Sequence, residues 1–210
     1  LRAETLRDDY LQADETTVKV QDPHKKGKTH NGYFWLYHNP GRRVLFYDYR
    51  AGRGREGPSN ILKNFKGFLQ TDGYRGYDEI TVKNDLVRLG CMAHARRKFF
   101  EAKDHHPKRA GWMLKNIKKL YDLEREARDK ELSVKKRFEL RQQYACPILE
   151  SIKAWLDAEM MNVSSKTDIG TAMTYMLNQW PRLTNYLLDG RLEIDNNRIE
   201  NAVRPVALGR

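Results

Sequence analysis

The last twenty residues of the chain place several polar side chains at helical spacing. Glu200 follows the pair Asn196–Asn197 by about one turn and precedes Arg204 by one turn. Because residues three and four positions apart share a face of a helix, a carboxylate would be flanked by two amides and a guanidinium. Asp195 is of a residue type that favours the N-cap, so we predict that the helix starts there. The pattern fits a ligand-binding face, and a solvated amphipathic helix is the alternative.

Three carboxylates lie within or directly after otherwise apolar segments. Asp14 is in the first predicted strand, Asp72 ends the fourth, and Glu200 is on the final helix. A charge in such a setting is costly unless it is paired or binds a metal ion. Carboxylate oxygens are ligands that Mg²⁺ accepts, and a pair of such ions can promote phosphodiester chemistry. Three unrelated surface acids are the alternative, and spacing alone does not exclude it.

Two further motifs have competing interpretations. Residues 52–57 match G-x-G-x-x-G, with Asp72 twenty residues after the first glycine, as in dinucleotide-binding turns. The preceding strand belongs to a predicted hairpin and Pro58 follows the glycines, so we favour a flexible basic loop. Cys91 and His94 form a C-x-x-H pair, but one Cys and one His do not complete a tetrahedral zinc site. We therefore expect no structural zinc.

The elements that would position these residues are a sheet followed by helices. Strands are predicted over residues 10–20, 33–38, 44–49, 67–72 and 86–92, and helices over 59–65 and 93–103. Residues 39–42 have turn chemistry, so the second and third strands should form an antiparallel hairpin and, with the first strand, a meander. From Pro107 the apolar period is helical. It predicts a first buried stripe of Met113, Ile117, Leu120 and Tyr121, and a second of Val134, Phe138, Tyr144 and Ala145 that continues through Ile148, Ile152, Trp155 and Leu156. Late helices are predicted from about 164 to 176 and from 181 to 188. This order indicates an α+β fold, or an α/β core with a helical insertion.

The charge of the chain indicates a polyanionic partner. Its 210 residues include 39 Lys or Arg and 28 Asp or Glu, a net charge of +11. Nucleic acid is the first candidate and an acidic membrane surface the second. Residues 96–141 contain sixteen Lys or Arg and eight Asp or Glu, so this segment is either the electrostatic footprint or a solvated face of mixed charge.

Other compositional features limit the class of protein. A hydrophobic content of 40% argues against a disordered chain. Two cysteines, no secretory signal and no apolar run of membrane-spanning length favour a cytosolic protein. The chain does not begin with Met and ends abruptly at Arg210, so we expect a fragment of a longer protein.

Four blocks of the sequence resemble, in the same order, the transposases of the insertion sequence 66 family. The blocks are residues 13–16, 69–77, 91–99 and 195–210. These transposases belong to the DDE class, so the resemblance implies an α/β, RNase H-like mixed sheet with flanking helices, interrupted by an all-α insertion before the last catalytic helix. The implied domains are 1–104 for the first part of the core, 105–190 for the insertion and 191–210 for the final core helix.

The resemblance also implies roles for single residues. Asp14, Asp72 and Glu200 would be the catalytic acids and would bind Mg²⁺ or Mn²⁺, as two ions, for DNA strand cleavage and strand transfer at insertion-sequence ends. His94, in the C-x-x-H pair, would support the active site. The residues expected to contact DNA are Arg96, Arg97, Lys98, Asn197 and Arg204.

Partners and alternatives follow from the same resemblance. The implied partners are transposon-end and target DNA, a second copy in a homodimeric complex, and accessory transposition proteins, without a membrane. The implied location is the prokaryotic cytoplasm, in association with the nucleoid. The usual amino-terminal DNA-binding region is missing, so this fragment is not expected to recognise ends by itself. The alternatives are a catalytically inactive DNA-binding remnant and an RNase H-like nuclease or resolvase.

Overall fold

The computed structural model describes residues 1–21 and 27–208. The strands are β1 (Tyr10–Gln21), β2 (Thr29–Asn39), β3 (Val44–Arg50), β4 (Phe68–Gln70) and β5 (Val87–Leu89). The α-helices are α1 (Arg2–Thr5), α2 (Glu56–Ile61), α3 (Asp78–Asn84), α4 (Met92–Glu101), α5 (Pro107–Asp129), α6 (Val134–Leu140), α7 (Cys146–Met160), α8 (Asp168–Thr184) and α9 (Asn197–Leu208). Short 3₁₀ turns cover Arg75–Tyr77 and Asn185–Leu188, and a π-helical turn covers Arg141–Ala145.

The chain forms two compact units. Leu1–Arg88 and Asn196–Arg210 make up the first unit, and Leu89–Asp195 makes up the second. The chain therefore leaves the first unit after Arg88 and returns to it at Asn196. The domain boundaries expected from the resemblance, at 104 and 190, stay a prediction.

The first unit is built on a mixed five-stranded sheet in the order β3-β2-β1-β4-β5. β1 pairs with β2 and β2 with β3 in antiparallel register, whereas β1 pairs with β4 in parallel register. The predicted three-stranded meander is confirmed, and helices flank the sheet, as expected of an α/β protein. The expected loop over residues 21–32 is shorter than predicted, because β1 and β2 stay paired as far as Gln21 and Thr29. Residues 22–26 of that loop lie outside the described part.

Alternation along the strands divides the sheet into two buried faces. One face contributes large apolar side chains that pack with residues of and after α2 and with α3; this cluster contains Leu11, Ala13, Trp35, Tyr37, Ile61, Leu62, Phe65, Leu69, Tyr77, Ile80 and Leu86. On the opposite face, Leu36 packs with Ile199 and Val203 of α9. Because successive residues of a strand point to opposite faces, β1 carries Asp14 on the α9 side.

Several predicted boundaries in the first unit are wrong. Helix α2 begins at Glu56, three residues before the predicted start, so Gly57 and Pro58 lie in its first turn. A proline is tolerated there because its missing N–H would have no partner within the helix. Helix α3 was not expected from the apolar pattern. Strands β4 and β5 are shorter than predicted, and β4 ends before Gly73, whose φ of 101° suits glycine.

Helices α4 to α8 form the second unit. α4 packs on α5 and α8, α5 on α7, and α7 on α8. Of the predicted first stripe, Met113, Ile117 and Leu120 are buried and Tyr121 is half-buried. Trp112 stacks on Trp155 with ring centroids 4.6 Å apart. One continuous α8 replaces the two predicted late helices. Pro181 lies near the carboxyl end of α8. Proline cannot donate a backbone hydrogen bond, and the helix ends within about one turn of it.

The predicted second stripe is wrong over its first three residues and correct at Ala145, Ile152 and Leu156, which are buried. The side chains of Val134, Phe138 and Tyr144 are exposed. Arg141 is fully buried instead and donates hydrogen bonds to both carboxylate oxygens of Glu124, at 2.7 and 3.0 Å. The segment assigned as a basic footprint therefore includes a guanidinium without access to solvent.

The Arg141 guanidinium also holds the chain that follows α8. It donates to the carbonyl oxygens of Tyr186, Asp189 and Leu192 at 2.7–2.8 Å. Burial alone would raise the pKa of Glu124, but hydrogen bonds and charges from Arg141 and Arg137 outweigh it and lower that pKa. Glu124 therefore stays ionised, and the buried ion pair fixes residues 186–192 within the second unit.

Among the described residues, no helix combines the length and the apolar character needed to cross a membrane.

Candidate active site

The register of the parallel strand pair aligns the first two candidate acids. Gln12 of β1 pairs with Gln70 of β4, and their side chains are hydrogen-bonded at 2.9 Å on the same face of the sheet. Two residues further along each segment bring Asp14 and Asp72 to corresponding positions. Because side chains alternate with a period of two, Asp14 emerges on the face that carries Gln12.

A buried polar network fixes this register. The hydroxyl of Tyr10 donates to Oε1 of Gln70 at 2.6 Å, and Nδ1 of His38 lies 3.0 Å from Oε1 of Gln12. Burial, and then the charge of Arg198, lower the pKa of His38, so a neutral imidazole donates its Nδ1 hydrogen to Gln12. A slip of one residue between β1 and β4 would leave these buried groups without partners. The network therefore fixes the level at which the two aspartates meet.

Helix α9 brings the third acid to the same face. It packs on β1 and β2, with Ile199 and Val203 buried, and Glu200 follows Ile199. A role of Glu200 beside Asp14 and Asp72 predicts that this helix packs beside the first and fourth strands. The contact with the first strand is confirmed, and β2 rather than β4 is the other main partner. Amphipathic spacing positions the helix, because its two buried residues are four apart and share one stripe.

The start of α9 differs from the prediction. The helix begins at Asn197, and the carbonyl of Asn196 accepts hydrogen bonds from the backbone of Ile199 and Glu200. Asp195 is therefore not the N-cap. Its carboxylate instead accepts a hydrogen bond of 2.8 Å from the Tyr121 hydroxyl in the second unit.

The pKa of Asp14 is affected by the other two candidate acids. Burial raises the pKa of Asp14 to about 8, and the negative charges of Asp72 and Glu200 add to that increase. The negative charge of Glu15 also raises the pKa of Asp14, whereas a hydrogen bond from the backbone N–H of Glu15 lowers it. In the first unit, Asp72 and Glu200 thus lie near enough to Asp14 for their charges to raise its pKa.

The composition of this cluster fits a divalent cation. Three carboxylates provide the hard oxygen ligands that Mg²⁺ and Mn²⁺ take. The raised pKa of Asp14 means that the cluster carries more negative charge than its surroundings stabilise. A bound cation would offset that charge and lower the pKa.

The Asp14 pKa predicts how stability depends on pH without metal. The folded-state pKa lies above the ordinary value, so the folded protein binds the extra proton, and its stability falls as the pH rises from about 4 to about 8. At about 1.4 kcal/mol per unit, this interval corresponds to a loss of up to about 6 kcal/mol. Urea unfolding at several pH values in the presence of a chelator measures this loss, and Asp14→Asn should flatten the profile. An equally steep profile in Asp14→Asn would assign the pH dependence to another group.

Backbone amides orient the two aspartates. The N–H of Glu15 donates to Oδ1 of Asp14, and the N–H of Tyr74 donates to Oδ1 of Asp72, both at 2.9 Å. Sequence reasoning missed Glu15 and Tyr74 as residues of the site. Their immediate proximity to the two aspartates was the available signal.

The segment with the G-x-G-x-x-G spacing has another role. β3, which precedes it, is an edge strand paired in antiparallel fashion, whereas dinucleotide-binding turns follow a parallel strand. The guanidinium of Arg53 donates from Nε to Oε1 of Glu15 at 3.0 Å. The segment is therefore attached next to the acid cluster rather than being the flexible loop that was predicted.

The remaining predicted residues lie on two helices, one in each unit. Asn197 and Arg204 are exposed on α9, the helix that carries Glu200. In the second unit, α4 carries four further residues that were predicted for the site. In its first turn, the N–H of His94 donates to the carbonyl oxygen of Cys91. The four are His94, Arg96, Arg97 and Lys98.

The basic residues of α4 border aromatic rings. Arg96 and Arg97 are exposed, while Lys98 is half-buried with its ammonium 4.9 Å from the centroid of the Tyr175 ring. Phe100 is 46% exposed, and the guanidinium carbon of Arg96 lies 5.9 Å from its ring centroid. Cations beside an exposed ring are suited to contact with nucleic acid.

Comparison with known proteins identifies the family of the chain. The model of the Transposase IS66 family matches residues 1–210. Two similar proteins of Sinorhizobium fredii are uncharacterized protein y4qI, which is 33% identical over 94% of this chain and 39% of its own length, and uncharacterized protein y4hP, which is 30% identical over 100% and 42%. The chain spans about two fifths of the length of these relatives. No solved structure matches it significantly. The chain is a member of the IS66 family of transposases.

Proposed function

We propose that this chain is the catalytic domain of a DDE transposase, which cleaves DNA strands at insertion-sequence ends and transfers them to target DNA. The observation that carries the proposal is that α9, the helix with Glu200, packs on β1, while Asp14 and Asp72 each follow the paired residues Gln12 and Gln70 by two positions. Membership of the IS66 family supports DNA as the substrate.

The topology supports an RNase H-like core. An antiparallel meander of three strands is extended by a parallel fourth strand and then a fifth, and a late helix covers the face that carries Asp14. The helical insertion between the second and third acids is supported by the same arrangement, since the chain forms a separate helical unit between Arg88 and Asn196. In this proposal, residues 105–190 are the insertion.

The acids would hold two Mg²⁺ or Mn²⁺ ions. When bound, these ions supply the charge that activates the attacking oxygen of water or of a DNA 3′-hydroxyl and stabilises the leaving oxygen. The protein contributes rigid orientation. Asp14 and Asp72 each have one carboxylate oxygen held by a backbone N–H, and Glu200 is carried on a helix anchored by buried residues. Fixed groups need little rearrangement during the reaction, which is how such sites lower a barrier.

The proposed DNA contacts follow the exposed cations. Asn197 and Arg204 lie on the helix that carries Glu200, where they would contact the phosphates next to the reacting bond. Arg96, Arg97 and Lys98 would contact the backbone of the DNA through α4, and His94 would support the active site. The net charge of +11 supports binding to a polyanion. We further propose a homodimeric complex with accessory transposition proteins, in the prokaryotic cytoplasm at the nucleoid.

Titration with Mn²⁺ tests the proposed acid cluster. We expect the wild-type chain to bind Mn²⁺, and Asp14→Asn or Asp72→Asn to weaken binding at least about tenfold, because each removes a charged ligand. Electron paramagnetic resonance of free Mn²⁺ gives the affinity and the number of ions.

Asp85→Asn is the matched control for this titration. Asp85 is exposed in the same unit and adopts a left-handed conformation, with a φ of 54°, which asparagine also tolerates. The control should bind like the wild type. Unchanged affinity in both Asp14→Asn and Asp72→Asn would contradict the proposal and favour a DNA-binding remnant.

A further inference from the structure

We propose that Arg53 is a positioning residue that links the supports of the two aspartates, a role that rests on the proposed function. Arg53 lies in the segment between β3 and α2 that contains the G-x-G-x-x-G spacing. Its side chain makes two contacts, one with the residue after Asp14 and one with the second residue after Asp72.

The first contact is an ion pair with Glu15. Nε and Nη2 of Arg53 donate to Oε1 of Glu15 at 3.0 and 2.5 Å. The Glu15 side chain is only 4% exposed, whereas that of Arg53 is 48% exposed. A buried carboxylate without a cation is costly, so Glu15 depends on Arg53 more than Arg53 depends on Glu15.

The second contact is with Tyr74. The guanidinium carbon of Arg53 lies 4.2 Å from the centroid of the Tyr74 ring, and the Tyr74 hydroxyl donates to the carbonyl oxygen of Arg53 at 2.8 Å. The two residues therefore hold each other through both side chain and backbone. The Tyr74 ring also contacts Trp35 and Tyr77, at centroid distances of 6.1 and 6.2 Å, so the apolar core fixes its far side.

The two contacts join the residues whose amides orient the acids. Glu15 donates its N–H to Asp14, and Tyr74 donates its N–H to Asp72. Arg53 connects Glu15, in the middle of β1, to Tyr74 in the turn after β4. Neither β1 nor the turn alone sets the distance between these two amides, and the guanidinium provides that link.

The same segment provides a matched control. Arg55 lies two residues further on and pairs with Glu79 at 3.1 Å, and both of these side chains are largely exposed. Such exposed pairs contribute little to stability. Arg55→Ala removes the same charge from the same segment as Arg53→Ala and leaves the contacts with Glu15 and Tyr74 in place.

Two measurements on the purified chain test the inference. Hydrogen exchange at the Glu15 and Tyr74 amides is expected to be at least about tenfold faster in Arg53→Ala, because the amides lose their common anchor. Mn²⁺ affinity is expected to fall about tenfold, since groups that orient metal ligands have effects of about 10–100-fold. Arg55→Ala should leave both values within about twofold of the wild type.

Conservative variants separate positioning from folding. Arg53→Lys keeps the charge beside Glu15 but loses the planar group over the ring, so it should restore part of the affinity. Tyr74→Phe keeps the ring and removes only the hydrogen bond to the Arg53 carbonyl, so it should give a smaller loss of about threefold. Tyr74→Phe keeps the test decisive if Arg53→Ala does not fold.

The outcomes distinguish this inference from the proposed function. Unchanged exchange at both amides in folded Arg53→Ala overturns the positioning role, whatever the metal does. Equal Mn²⁺ affinity in Arg53→Ala and the wild type, with weakened binding in Asp72→Asn, also overturns it and leaves the proposed function standing. Absence of Mn²⁺ binding to the wild type, together with faster exchange in Arg53→Ala, contradicts the proposed function and retains the link between the two amides.

Discussion

Glu200→Gln in the full-length transposase is expected to lower the rate of DNA strand cleavage by at least about 1,000-fold. Glutamine has the size of glutamate but lacks the charge needed to hold a divalent cation beside Asp14 and Asp72. Loss of one preorganised charge or donor in such a site typically reduces the rate by about 100- to 1,000-fold, and loss of a metal ligand should be at the upper end. The fold should be kept, because Ile199 and Val203 still bury the apolar stripe of α9.

Cleavage of a labelled transposon-end duplex measures this effect, and a mobility-shift assay reports DNA binding separately. The control is Glu56→Gln, the same change at an exposed acid of the same unit, which should cleave at the wild-type rate. Wild-type cleavage by Glu200→Gln would remove Glu200 from the proposed triad. Loss of both cleavage and DNA binding would instead indicate a general defect in the protein.

Arg141→Ala is expected to reduce the free energy of unfolding of the second unit by about 3–5 kcal/mol. The substitution leaves the buried Glu124 with Arg137 as its remaining cationic partner, and it removes the donors of three carbonyl groups after α8. Breaking a buried ion pair by removing one partner typically costs this much, because the other charge stays buried. Few single substitutions in this chain should have a larger effect on stability.

Denaturant unfolding followed by circular dichroism measures the Arg141 effect. Arg128→Ala is the control, since Arg128 is exposed on α5 and its removal should change the free energy of unfolding by less than about 0.5 kcal/mol. A loss of under about 1 kcal/mol in Arg141→Ala would mean that water can replace the guanidinium at this position.

The strands of the first unit could be predicted from sequence because their signals are local. β2 and β3 are rich in aromatic and β-branched residues. The turn between them is stabilised by the side chain of Asn39, whose Oδ1 accepts a hydrogen bond from the N–H of Arg42 at 3.0 Å. Such short-range patterns do not depend on the rest of the chain. The meander was therefore predicted with nearly correct limits.

The inward-facing arginines of the second unit could not be predicted in this way. Periodicity assigns apolar residues to the inside of a helix, and it predicted that Val134 and Phe138 would be buried. The partner that makes burial of Arg141 favourable is Glu124, on a different helix seventeen residues earlier. The free energy of that pair depends on tertiary packing, which the local pattern does not contain.

The acid cluster was predictable only in part. The resemblance implies catalytic roles for Asp14, Asp72 and Glu200, and these stay a prediction. The register of Gln12 with Gln70 and the contacts of Arg53 depend on pairings between residues far apart in sequence. The N-cap of α9 was predicted wrongly for a similar reason. Asp195 has a suitable residue type, but the Tyr121 hydroxyl binds its carboxylate.

The division of the first unit into two chain segments has a consequence for protein synthesis. Asp72 leaves the ribosome 128 residues before Glu200, and at about 5–20 residues per second this interval lasts roughly 6–26 s. During that time the sheet can fold with its aspartates aligned, but the helix that supplies the third acid has not been made. Under the proposed function, a nascent chain would thus hold two of the three acids and would be unable to cut DNA near the ribosome until α9 has been translated.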